Sequence, residues 1–86
     1  MKLSADFVPY EIDNEKYLVC LDAAKFSGII KLNGTGDFLV KLLKDEVSEE
    51  ELAEKLSEEY PDAGIERCRD DVHKFIEALK ETGALE

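Results

Sequence analysis

Leu32-Asn33-Gly34-Thr35-Gly36-Asp37-Phe38-Leu39 is where the pattern of the chain changes. Upstream, three short runs alternate in polarity: Phe7–Asp13, Lys16–Asp22 and Phe26–Leu32. Downstream, apolar residues recur at helical spacing in three segments. Three short strands cannot bury their own faces, so the helices must cover one side of them. The order predicts an α+β fold, with an N-terminal three-stranded antiparallel sheet followed by three helices.

Size and charge narrow what such a fold can do. Residues 1–86 read as one small domain. A chain this short buries only roughly 60–65% of its unfolded surface, which leaves little room for a deep enzyme pocket beside a complete core. An apolar fraction of 44% argues against disorder. Twenty-one acidic residues against 11 basic give a net charge of −10, which repels nucleic-acid phosphates and anionic membranes and suits a neutral or basic polypeptide. Cys20 and Cys68 have no second cysteine at metal-finger spacing. They read as two buried free thiols, which fits a reducing cytoplasm. Met1–Asp6 lacks the apolar run of a signal peptide or membrane span.

Within the strands, Val8, Tyr10 and Ile12 share one face. Pro9 cannot donate to a ladder, so the first strand belongs at an edge that the proline blunts. Asp13-Asn14-Glu15 reads as a hairpin turn, because Asp and Asn tolerate left-handed backbone. Tyr17, Val19 and Leu21 alternate with Leu18, Cys20 and Asp22, an apolar mix that suits a central strand. Ala23-Ala24-Lys25 connects to the third run, where Phe26, Gly28, Ile30 and Leu32 face one way and Ser27, Ile29 and Lys31 the other. In a meander this run is the second edge, and it carries no proline. Gly28 admits a second backbone closely, and Lys31 is weak protection against pairing.

The helical half is punctuated clearly. Asn33 is the expected N-cap of the first helix, with Thr35 as competitor. Thr35, Phe38, Leu39, Leu42 and Leu43 form its apolar stripe. Ser48-Glu49-Glu50-Glu51 is a capping box whose acids complement the helix dipole. Leu52, Ala53, Leu56 and Tyr60 make the buried stripe of the second helix, and Pro61 stops it. The third helix runs from about Gly64 to Thr82 with a core face of Ile65, Cys68, Val72, Phe75, Ile76 and Leu79, and Gly83 ends it. Arg69 and His73 fall on one flank of that face and Asp71 on the other.

No catalytic set emerges. Gly34-Thr35-Gly36 lacks the Gly-Lys-Ser/Thr of a phosphate loop and reads as a tight strand-to-helix turn. His73 is the sole histidine; no Cys or His lies four residues away on its face, which argues against a metal site, and the serines lack a plausible His/Asp partner for a triad. No serine lies in the attachment motif of an acyl carrier protein. A sheet beside three helices resembles winged-helix DNA readers, yet the last helix interleaves Arg67, Arg69 and Lys74 with Glu66, Asp70, Asp71 and Glu77. A non-enzymatic binding role without a cofactor is therefore expected. DNA regulation and a dimerising structural module are the alternatives.

The same residues carry a family likeness. Leu32–Leu39 resembles the L-N-x-T-G signature that opens the helical part of PqqD-like proteins. Ser48–Leu56, with Tyr60 after it, is similar to the family's capped second helix and its aromatic. Asp71-Val72-His73-Lys74-Phe75-Ile76-Glu77-Ala78-Leu79 and Gly83-Ala84-Leu85 resemble the closing pattern of the family. Val40 departs from it, since many relatives carry Trp there.

This resemblance implies a winged helix-turn-helix-like peptide chaperone, a recognition element for ribosomally made, modified peptides. It implies binding of a precursor's leader segment as an added strand on residues 26–32 beside helix 64–82. The leader is then presented to a modifying enzyme of the radical S-adenosylmethionine class, with pyrroloquinoline quinone assembly as one such pathway. Peptide contacts are expected from Ser27, Gly28, Ile29, Ile30 and Lys31 on the strand, and from Arg69, Val72, His73 and Ile76 on the helix. A cytoplasmic monomer or weak dimer is expected, without nucleic-acid or membrane partners.

Overall fold

The first hairpin turns on Asp13 and Asn14, whose φ values of 50° and 67° are the left-handed pair that a two-residue turn requires. This turn joins β1 (Phe7–Ile12) to β2 (Glu15–Cys20), with Ile12 opposite Glu15 and Phe7 opposite Cys20. The computed structural model describes residues 1–22, 24 and 28–86. β3 (Ile29–Leu32) runs antiparallel to β2, with Ile29 opposite Val19 and Leu32 opposite Lys16. The sheet order is β1-β2-β3, so β2 is central and β3 is an edge. Four residues of the predicted connection and third run, Ala23, Lys25, Phe26 and Ser27, lie outside the described residues.

The alternation of the first run has a consequence opposite to burial. Phe7 points to the core, whereas Tyr10 and Ile12 lie on the outer face of the sheet and are exposed. The core face of the sheet is set instead by Phe7, Leu18 and Leu32, all nearly inaccessible.

Three helices cover that face: α1 (Gly34–Leu42), α2 (Glu49–Glu59) and α3 (Ile65–Thr82). Asn33 caps α1, its side-chain oxygen accepting from the Gly36 amide at 2.7 Å. That start fixes the rotation of the helix. Gly36, Leu39, Val40 and Leu43 are buried, and Thr35 lies beside the stripe rather than in it. Val40 is thus a core residue. At Gly36 a Cβ would lie 3.3 Å from Phe75 Cε1 and 3.5 Å from Leu32 Cδ2, so the glycine lets α1, α3 and β3 close on one point.

The capping box of α2 is formed at both bonds: Glu51 N–H to Ser48 Oγ at 3.0 Å, and Ser48 N–H to Glu51 Oε1 at 3.1 Å. Leu52, Ala53 and Leu56 are buried, but Tyr60 is not. At the C-cap its backbone leaves the helix (φ −126°, ψ 70°), the side chain is 42% exposed, and Pro61 begins a 3₁₀ turn, Pro61–Ala63. α3 supplies Cys68, Val72, Ile76 and Leu79 to the core, with Phe75 half-buried at its margin. Gly83 ends it in the left-handed conformation (φ 77°). Both cysteines are free; Cys68 is buried and Cys20 only partly so.

One part of the architecture has no periodic signal. Residues before β1 pair with those after α3 through a bridge between Leu3 and Leu85, and the Ser4 amide donates to the Ala84 carbonyl at 2.6 Å. Leu3 and Ala84 are core residues in consequence. Among the described residues no helix is long and apolar enough to cross a membrane.

Candidate functional site

β3 pairs with β2 along one side, and among the described residues no strand pairs along its other side. A strand in that position presents unpaired amides and carbonyls at every second residue. Gly28, just before it, is exposed with φ 131°, a conformation that only glycine adopts easily.

The side chains of β3 divide by register. Ile30 stands opposite Leu18 and shares its core face, where it packs half-buried against the core beside Leu32. Ile29 and Lys31 take the outer face, and Ile29 is 62% exposed. Lys31 is engaged by Glu15 across the sheet at 2.7 Å. That hydrogen bond, then the carboxylate charge, raises the lysine pKa above its ordinary value. The exposed apolar residue nearest the vacant edge is therefore Ile29, and the cation beside it is already partly neutralised.

α3 approaches the end of β3 at Phe75, across Gly36, and not with the predicted residues. Val72 and Ile76 have no exposed surface. They lie behind the groove wall as core and offer a peptide nothing to touch. Arg69 and His73 face α2: Arg69 donates twice to Glu50, and His73 Nδ1 stands 3.3 Å from Glu49 Oε2. The hydrogen bonds from Arg69 hold the Glu50 carboxyl below the usual carboxylate range, with desolvation opposing and the guanidinium charge assisting.

The flank of α3 turned toward the end of β3 is the opposite one. A shallow groove there is lined by Arg67, Asp71, Lys74 and Phe75 from α3 and by Asn33, Thr35 and Gly36 from the start of α1. Phe75 is its apolar element, packed near Leu32 across Gly36. In the sequence, Phe75 follows Asp71 by four residues on the flank away from Arg69, but nothing there says that this flank meets the strand. The hydrophobic pattern reads Phe75 as core and so conceals its position at the margin. Of the predicted contacts, Gly28, Ile29, Ile30 and Lys31 are gathered on the β3 edge, and Ser27 lies outside the described residues. None of the four α3 residues joins them.

The cations of α3 do not form an open basic face. Arg69 is paired with Glu50, Lys74 with Asp70 at 3.0 Å, and Arg67 stands 3.9 Å from Asp71. A recognition helix for nucleic acid needs cations free to meet phosphates, and these are opposed one for one.

The family model for coenzyme PQQ synthesis protein D matches residues 13–85. Among solved structures, that of TbiB1 in complex with the TbiA(beta) leader peptide is similar, with a TM-score of 0.81 at 27% identity over 100% of this chain and 95% of the other. No curated protein matches.

Proposed function

The chain belongs to the PqqD family, whose model spans residues 13–85, and on that premise we propose that it binds the leader segment of a ribosomally made precursor peptide. The leader adds as a fourth strand to the vacant edge of β3. Main-chain pairing supplies affinity, and side chains alternating along the added strand supply specificity. Those on the core side meet Ile30 and the groove around Phe75; those on the outer side meet Ile29. The bound precursor is held for a modifying enzyme, a radical S-adenosylmethionine enzyme in this reading, and the chain itself performs no chemistry. The work takes place in the cytoplasm, and pyrroloquinoline quinone assembly is one pathway of this kind.

The observation that carries the reading is the edge position of β3, along whose outer side no strand pairs among the described residues, in a fold shared along its whole length with a protein solved bound to a leader peptide. The test is titration of the ¹⁵N-labelled chain with synthetic peptides covering the small reading frames that flank its gene. A binding peptide should shift the amides of Gly28–Leu32 and Phe75. Binding that leaves those amides unmoved overturns strand addition.

A further inference from the structure

We infer that a cup beyond the Phe75 groove takes a lysine or arginine side chain of the bound peptide, an inference that rests on the leader-binding reading. The cup is a cavity of about 490 Å³ where the first turn of α1, the end of α2, the 3₁₀ turn and the start of α3 meet. Its volume falls within the range of small-ligand sites, roughly 300–1,000 Å³. Thr35, Arg67 and Asp71 line both this cup and the shallow groove that contains Phe75, so the two adjoin. A peptide leaving the β3 edge near Leu32 meets the groove at Phe75 first and the cup next to it.

The chemistry of the walls selects the occupant. The floor is apolar, from Leu56 and Cys68, both buried. The ring of Tyr60 forms a wall, with its hydroxyl beside the Gly34 position. The rim carries the carboxylates of Glu59, Asp62 and Asp71. Arg67 stands near Asp71 alone, at 3.9 Å, and among the described residues Glu59 and Asp62 have no ion-pair partner. An apolar shaft beneath an acidic rim matches the methylene stem and cationic head of Lys or Arg. A carboxylate side chain would meet repulsion there, and an aliphatic one would leave the rim charges unanswered. The net charge of −10 draws a basic segment to this surface at longer range.

The probes are the N-acetyl, N′-methylamide forms of arginine, norleucine and glutamate, titrated separately into the ¹⁵N-labelled chain at matched ionic strength. Capped arginine should shift the amides of Ala63 and Cys68 and leave Ile29–Lys31 in place. The double variant Glu59→Gln, Asp62→Asn should weaken it about fivefold, the effect of two exposed ion pairs, with the remaining spectrum unchanged. No localised shift, or an equal response to capped norleucine, overturns the inference. A leader peptide that binds β3 yet leaves capped arginine in the cup also overturns it. Failure of strand addition reads differently: the peptides leave Gly28–Leu32 unmoved while capped arginine still fills the cup.

Discussion

Arg69 of α3 grips Glu50 of α2, its Nε and Nη2 both donating to the carboxylate, the shortest contact being 2.8 Å. This pairing ties the two helices together and turns the arginine away from the peptide edge. Its neighbour His73 also faces α2, its Nδ1 standing 3.3 Å from Glu49 Oε2. The polar flank of α3 is thus part of the scaffold, and the half-buried flank of Asp71 and Phe75 is left to line the groove.

Acidification should undo the Arg69–Glu50 tie. The folded-state pKa of Glu50 lies below its ordinary value of 4.5. Its contribution to stability is therefore present above that ordinary value and lost as pH falls through the depressed one. Thermal melts of the parent and Glu50→Gln proteins should differ slightly at neutral pH and converge in acid. Arg69→Ala should leave leader affinity unchanged in calorimetric titration.

Ile76 is a core residue, not a groove residue. Ile76→Ala should cost about 2–5 kcal/mol of stability in denaturant melts, the usual cost of emptying a fully buried aliphatic site. At temperatures where the variant remains folded, its leader affinity should match the parent's.

The β3 edge can be tested by parity. Ile29 and Ile30 are adjacent, so their amides point to opposite sides of the strand. Ile29→Pro and Ile30→Pro should therefore fail differently: one breaks the ladder to β2 and lowers the melting temperature sharply. The other keeps the fold and weakens leader binding, because only an outward donor is lost. Equal behaviour of the two in melts and titrations would contradict an open edge.

The capping box of α2 is complete, so Ser48→Ala should lower stability by about 1 kcal/mol. Ser48→Asp restores an N-cap acceptor and should recover most of that loss in the same denaturant melts.

Two glycines of α1 should respond oppositely to alanine. At Gly34 the new Cβ meets only the Tyr60 hydroxyl at 3.7 Å, so Gly34→Ala should stabilise by about 0.4–1 kcal/mol. At Gly36 it meets Phe75 and Asn33 Oδ1, each at 3.3 Å. Gly36→Ala should displace Phe75, which the Phe75 ring resonances will report, and weaken leader binding.

The element order, the Asp13-Asn14 turn, the Asn33 and Ser48 caps and the Gly83 stop were all legible in the residues, because each depends on interactions within a few positions along the chain. The edge status of the third strand was legible too, since three short strands before three helices leave few arrangements. Which side of each pattern faces inward was less so. Val8, Tyr10 and Ile12 alternate as a buried set would, yet the helices cover the other face and leave Tyr10 and Ile12 exposed. Tyr60 continues the stripe of α2, but its backbone departs from the helix and turns the ring toward the α1 start.

Tertiary structure alone decided the helix side of the groove. A helical wheel places Arg69 and His73 opposite Asp71 but does not say which flank meets the strand. That choice follows from α2 and α3 packing together with Glu50 within reach of Arg69 and Glu49 within reach of His73. It also follows from Gly36 letting Phe75 and Leu32 converge. The pairing of Leu3 with Leu85 belongs to the same class. Contacts between residues so distant in the chain leave no period in it, because they depend on how whole elements stack and not on how neighbours repeat.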